Sequence, residues 1–594
     1  MPHFPRLFIC DFFHSSSRTP FASPPLRGVF CGAMKRGGFL ALVAFFISFF
    51  PLVACAEGTL FGVVHDEHGQ PVDNARITFR IGGKEYAGVG RAGAAYNTSQ
   101  NGSFYIKLPS DAPAGGGIAI AAAKSGFQPQ SIKLDAPPPP DGAPLFAGTF
   151  VLKHSAGPAF YLATTILIFV YALIVFDWVH RTLAALLGAV MMLLVSYTMG
   201  TFNPDYFILS FEDAVHAVDF NVVFLLLGMM IIVGIMRETG VFEWLAYQSF
   251  RISKGSVFRL AAILMVVTAI ASAFLDNVTT MLLMTPVTID IALVLGISPV
   301  ALLMPEIMAS NIGGTATLIG DPPNIMIGSY AGLTFNDFLI DLTPPIAVMT
   351  VLLVFMMQRV YRHEYLAAKV ADFAALEQRL KKECAIRDSR LLLMSLAVLA
   401  VVIILFFVHG ALHMEPSIAA LGGAAFLLLA ANENVVKYLE KDVEWSTLVF
   451  FIMLFIIIGG CERAGLIQFV ADRVLSVAGG SALTALMLVL VVSAVTSAII
   501  DNIPYTATML PVVAYLTGNL PELHGSPILW WALALGACLG GNATIVGASA
   551  NVVTTGLSEK AGHPVSFVYF LKIGLPVTVM TIAVSALWLL ILRG

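Results

Sequence analysis

The run FNVVFLLLGMMIIVGIM (residues 220–236) holds no charged side chain, and it is one of several. Residues 159–176, 391–408 and 448–460 read the same way. A membrane span takes about 20 mostly apolar residues. Only 12% of the 594 residues are charged and 58% are apolar, against about 25% charged in a soluble domain. Packed as a soluble bundle, helices this apolar and this numerous would find too little polar surface to cover them. The chain therefore reads as an all-α polytopic membrane protein. The net charge of −4 says little about partners. The cysteines (Cys10, Cys31, Cys55, Cys384, Cys461, Cys538) are scattered without a CxxC pair, which points to neither a disulfide framework nor a zinc site.

The first 56 residues read as an upstream extension followed by a signal peptide. Met34 opens a basic segment, then an apolar core, then small residues ending in Ala54-Cys55-Ala56. Met34 is accordingly the expected true start, with cleavage after Ala56. Residues 52–55 also resemble a lipobox, which would make Cys55 a lipid attachment site, and an uncleaved anchor is a third reading. Residues 57–150 change character: GTLFGVV, ARITFRI and GSFYIKL alternate between turn-rich stretches, the pattern of a small β-sandwich. Lying after a signal, it is expected outside the cytoplasm. The run APPPPDGAP (residues 136–144) reads as a stiff linker. His65 and His68 could hold a metal, or simply be solvated in a turn.

The apolar region repeats itself. FLDNVTTMLLMTPV (residues 274–287) returns as IIDNIPYTATMLPVV (residues 499–513), pairing Asp276-Asn277 with Asp501-Asn502. NIGGTATLIGDPPN (residues 311–324) returns as CLGGNATIVGASAN (residues 538–551). Two repeats are thus expected, residues 159–358 and 391–594, joined by residues 359–390. That linker carries eight Lys or Arg, marking it as cytoplasmic. The loop at residues 200–219 has no Lys or Arg, whereas its counterpart at 431–444 carries Lys437 and Lys441. Equivalent loops of opposite charge character imply inverted repeats, the plan of secondary transporters.

Glycine and proline inside an apolar helix break it and expose backbone groups. Lipid penalises those groups unless they line a cavity or pack in protein. Gly313, Gly314, Gly320 and Pro322-Pro323 are break residues in the first half. Asn311, Thr315, Thr317 and Asn324 can serve the opened backbone or a solute. Gly540, Gly541, Asn542, Thr544, Gly547 and Asn551 are their counterparts. Small-residue helix packing is the plainer explanation of the glycines. Asp276 and Asp501 are ionisable residues at the ends of apolar runs, a costly placement that suggests function. One carboxylate could hold either a proton or a cation. Alternatively, each Asp caps the helix that follows. Glu306 and Asp321 have no acidic counterparts, since Leu533 and Ala548 stand there.

LDNVTTMLLMTPVTI, SNIGGTATLIGDPPNIMIGS and RETGVFEWLA resemble the ArsB/NhaD branch of the ion-transporter superfamily, in its P protein-like group. The likeness covers roughly residues 160–592. The order of motifs in residues 57–150 is similar to carboxypeptidase-regulatory-like domains. The first resemblance implies re-entrant hairpins, broken helices, an elevator-like or rocking motion and a homodimer. It leaves the solute open, because the branch spans sodium/proton antiporters and arsenite carriers, with carboxylate carriers more distant. The expectation is a sodium/proton antiporter of a bacterial inner membrane, not an enzyme. It would hold Na⁺ at Asp276, Asn277, Asp501 and Asn502, with Thr279, Thr280 and Thr506 adding oxygens. The alternative is a sodium- or proton-coupled anion carrier, for arsenite or a carboxylate. There the amides of Gly313-Gly314 and Gly540-Gly541 would hold the solute at half-helix N-termini. A channel or receptor is a third class. No cofactor beyond the ion, and no nucleic-acid partner, is expected.

Overall fold

The computed structural model describes residues 59–593 apart from 67–70, 73–74, 82–83, 87–95, 100, 108–117, 125–126, 135–144, 154–155, 369–372 and 432–434. The signal segment, Cys55 and His68 lie outside the described residues.

The N-terminal domain is built from β1 (Thr59–Asp66), β2 (Arg76–Ile81), β3 (Lys84–Tyr86), β4 (Tyr96–Asn97), β5 (Ser103–Lys107), β6 (Ile118–Ala123), β7 (Gln130–Leu134) and β8 (Leu145–Leu152). One sheet runs β5-β1-β8; the other runs β3-β2-β6-β7, with β4 also on β2. Inward side chains from both sheets, among them Leu60, Val64, Ile77, Phe79, Phe104, Ile120 and Phe150, make one buried core. The expected sandwich forms, and the linker expected at 136–144 lies outside the described residues. β8 pairs in parallel with β1, Leu60 opposite Leu145 through Asp66 opposite Leu152. The proline-rich run therefore joins two strands of one domain, and the connection to the membrane region is the short stretch after Leu152.

Eighteen principal helices follow, nine in each half. The first half has α1 (Pro158–Val175), α2 (Arg181–Tyr197), α3 (Phe220–Glu238), α4 (Val241–Ser253), α5 (Val257–Phe274), α6 (Asn277–Val294), α7 (Val300–Gly314), α8 (Pro322–Ala331) and α9 (Phe335–Val360). The second has α10 (Ser389–Leu412), α11 (Pro416–Ala431), α12 (Trp445–Arg463), α13 (Leu466–Ala478), α14 (Ala482–Ser497), α15 (Asn502–Asn519), α16 (Ile528–Gly540), α17 (Ser549–Lys560) and α18 (Phe567–Arg593). Among the described residues, nine helices are long and apolar enough to cross a membrane. The chain is a multi-pass membrane protein.

The contacts obey a two-fold rule. α5 packs along α7 as α14 packs along α16. Across the halves, α3 packs on α11 and α12 on α2, while α8 packs on α15 and α17 on α6. Each such pair exchanges the roles of the two halves, as a two-fold axis requires. In each half the hairpin α5–α6 or α14–α15 brings its tip against the break of a discontinuous helix, α7–α8 or α16–α17. A re-entrant hairpin returns to the face it left. Each half then crosses an odd number of times, and the second half is inverted.

Ion pairs mark the two ends. At one end of α3, Arg237 pairs with Asp442, Glu238 with Lys437, and Glu243 with Arg387 at 2.9 Å. At the other, Asp213 pairs with Arg463 at 2.6 Å. Each pair keeps its basic partner at least partly in solvent while Asp442 is buried. Pairs with exposed partners contribute about 0–1 kcal/mol each, and here the pairs mark register. They put the basic linker and the loop with Lys437 at one end and the 200–219 loop at the other. Single cysteines at Glu212 and Lys382 in the full-length chain should accordingly react with an impermeant maleimide from opposite faces of the membrane. Labelling of both from one face would refute the paired-end arrangement.

Candidate ion and solute site

The break in the first half begins where Gly314 ends α7 and closes where Pro322 starts α8. Pro322 and Pro323 bring no amide hydrogen, and the backbone between is not helical, so several carbonyls lose their partners. One side chain replaces them. Asn324 Nδ2 donates to the carbonyls of Gly314, Thr315 and Thr317 at 3.4, 3.2 and 2.8 Å. Asn551 does the same in the second half, donating to Gly541 and Thr544 carbonyls at 2.8 Å each. Thr317 and Thr544 hydroxyls reach the carbonyls of Ala273 and Ala498, tying each break to its hairpin. Thr315 is spent within α7, its hydroxyl donating to the Asn311 carbonyl at 2.8 Å.

The glycines serve close approach. A Cβ on Gly313 would come within 2.1 Å of the Ala269 carbonyl oxygen, and one on Gly540 within 2.5 Å of Ala494's. Gly314 and Gly320 face each other's carbonyls, as do Gly541 and Gly547. Gly313-Gly314 and Gly540-Gly541 also sit at the C-terminal ends of α7 and α16, not at half-helix N-termini. A helix C-terminus presents carbonyls and partial negative charge, which suits a cation better than an anion.

Asp276 and Asp501 both cap helices. Asp276 Oδ2 accepts from the Thr279 amide at 3.0 Å and its hydroxyl at 3.1 Å. Asp501 Oδ1 accepts from the Ile503 amide at 3.1 Å. Here the symmetry ends. Asp501 Oδ2 also accepts from Arg181 Nη1 at 3.2 Å and from the Ser549 hydroxyl at 2.8 Å. Arg181, the first residue of α2, is the residue that the sequence reading missed. It stands beside a span end, where a basic residue ordinarily marks a loop, and only the fold carries it to the second Asp-Asn pair.

Amides connect the halves. Asn277 Nδ2 donates to Asn311 Oδ1 at 3.4 Å, and Asn311 Nδ2 donates to both Asn542 and Asn551 Oδ1 at 2.9 Å. Asn502 Nδ2 donates to the two oxygens of Asp321 at 3.3 and 3.2 Å. Asp276 and Asp501 both lie close enough to Asp321 to repel it electrostatically. Three buried polar atoms on these elements have no hydrogen-bond partner: Thr280 Oγ1, Thr506 Oγ1 and Asn542 Nδ2. Such orphans are rare in a protein interior and point to a guest. Glu306 stands apart, fully buried on α7, with both oxygens accepting from the Thr288 hydroxyl at 3.0 and 3.1 Å. Among the described residues no three His, Cys, Asp or Glu side chains gather closely enough to hold a metal ion together.

The tight glycine contacts have a measurable consequence. Gly320→Ala and Gly547→Ala should each destabilise the detergent-solubilised protein by about 1–3 kcal/mol through overpacking. Gly556→Ala on α17, with open space around it, should be neutral or stabilise by about 0.5–1 kcal/mol. Equal melting temperatures for all three would contradict this packing.

The family model CitMHS, described as citrate transporter, matches residues 171–536. The 46 kDa membrane protein of Mycobacterium leprae is 44% identical over 430 residues, covering 72% of this chain and 97% of its own. The human P protein is 36% identical over 523 residues, covering 75% of this chain and 62% of its own. Among solved structures, the YdaH transporter of Alcanivorax borkumensis aligns with a TM-score of 0.49 at 15% identity, over 69% of this chain and 98% of that one. With more than half of its length matched by the family model, this chain belongs to the CitMHS citrate transporter family and is a membrane transporter.

Proposed function

We propose that the protein is a secondary transporter exchanging sodium for protons, with Asp276 and Asp321 as the exchanging carboxylates. One observation carries the reading. Asp276, Asp321 and Asp501 converge on the hairpin tips and breaks, with Glu444 also near enough to repel Asp276, and among the described residues the guanidinium that joins them, Arg181, is taken by Asp501. Asp276 and Asp321 are left without a basic partner. A carboxylate withdrawn from water is costly unless it is neutralised, so it must hold a proton or a cation. The carbonyl ends of α7 and α16 add negative potential in the same place. Hard oxygen donors from Asp276, Asp321 and Thr280 suit Na⁺.

The second reading is a cation-coupled carrier of a small carboxylate. It is favoured by the family's description and by Arg181, the one side chain at the site able to grip a carboxylate bidentately. Against it stands the local surplus of negative charge.

Reconstituted in liposomes with an inward sodium gradient, the wild-type protein should drive proton efflux. Asp276→Asn and Asp321→Asn should reduce that flux to background, because an amide cannot alternate between proton and cation. Folding should survive: Asn caps a helix about as well as Asp at position 276, and at position 321, where the side chain makes no cap, an amide keeps an oxygen to accept from Asn502. Folded Asn variants with full flux would overturn the assignment. Citrate uptake without sodium–proton exchange would install the second reading.

A further inference from the structure

The two Asp-Asn tips descend from one plan, so their differences can be read position by position. In the second half the carboxylate of Asp501 is filled. The Ile503 amide occupies Oδ1, and Arg181 and Ser549 occupy Oδ2. Arg181 is itself anchored. It donates to Ser549 Oγ at 2.5 Å and to Thr447 Oγ1 at 3.3 Å, and its guanidinium lies 5.4 Å from the centre of the Phe450 ring. Thr447 in turn donates to Glu444 Oε2 at 3.0 Å.

In the first half none of this exists. α11, which matches α2, begins with Pro416, and α8, which matches α17, begins with Pro322. Proline offers no side-chain donor. Among the described residues Asp276 accepts only from groups of its own helix, the amide and hydroxyl of Thr279 and the amide of Val278, and its nearest charged neighbours are other carboxylates, Glu444 and Asp321. One turn further along the same helix the Thr280 hydroxyl is fully buried and has no partner. An orphaned hydroxyl lies near each Asp-Asn tip, Thr280 in the first half and Thr506 in the second. What differs is that the first half presents an anionic oxygen without a cation where the second half presents a completed ion pair.

We infer that the Arg181 guanidinium is a tethered stand-in for the transported cation: it permanently fills the cation position of the second half, leaving one exchangeable cation site per chain, at Asp276. The inference rests on the cation-exchange reading above and fixes its stoichiometry. A guanidinium against Asp501 Oδ2 excludes a second cation there by like charge and by volume. It cannot diffuse away, because it hangs from the first turn of α2.

The test is equilibrium binding of ²²Na⁺ to the purified full-length protein, with gel filtration as the folding check. The wild type should bind one Na⁺ per chain. Arg181→Gln should bind two, Arg181→Lys one, and Arg181→Gln combined with Asp501→Asn one again. Two Na⁺ on the wild type, or one on a well-folded Arg181→Gln, would overturn the inference while leaving cation exchange standing. No Na⁺ on either protein would overturn both. Loss of citrate binding in Arg181→Gln, with Na⁺ binding unchanged, would overturn the inference and assign Arg181 to an anion. Should Arg181→Gln fail to fold, the wild-type count and the sodium-to-proton ratio from reversal potentials still decide it: a ratio set by one Na⁺ per cycle supports the inference, and one set by two refutes it.

Discussion

The architecture hangs on the opened backbone between α7 and α8 and between α16 and α17. A transmembrane helix can be interrupted only where something other than lipid meets the freed carbonyls. One asparagine does this in each half, Asn324 for the first break and Asn551 for the second. Because that side chain is the first-turn residue of the returning arm, the break closes on itself. The hairpin can then approach within glycine distance, and the Asp-Asn tips are carried to the middle of the protein. Remove the clamp and the carbonyls need water or lipid, and the tips lose the surface against which they are registered.

Charge then separates two halves that packing keeps alike. Gly313 and Gly540, Thr317 and Thr544, and Asn324 and Asn551 perform matching tasks. Asp321 stands where the second half has Ala548, and Arg181 where the second half has Pro416. The backbone symmetry supplies two sites, and side-chain chemistry gives them different work. An asymmetric pair of this kind provides one place where an ion can be exchanged and one place where charge is held fixed.

Much of this was legible in the sequence, for a physical reason. Apolar runs, a recurring Asp-Asn and a recurring Gly-Gly are periodic signals of local structure, and the membrane forces local structure to be simple. The helix order, the break positions and the reciprocal halves follow from them. What the sequence concealed depends on which end of an element a residue occupies and what the fold carries to it. Gly313-Gly314 looked like an anion cradle until the helix was seen to end there. Arg181 drew no notice because its partner, Asp501, is 320 residues along the chain. Nothing local announces that Leu145–Leu152 returns to pair with β1.

The amide of Asn311 gives both its hydrogens to the other half, one to Asn542 and one to Asn551. A half-length chain would leave that amide, and the faces of α6 and α8, without partners. It could reach this fold only by meeting a second copy threaded through the bilayer the opposite way. The fused chain removes that requirement: opposite orientations are guaranteed by an odd number of crossings and a covalent tether. Fusion also frees the halves from being identical, which a pair of like subunits never is. An arginine against Asp501 in one half, and a proline at the matching helix start in the other, is a difference that only a joined pair can keep.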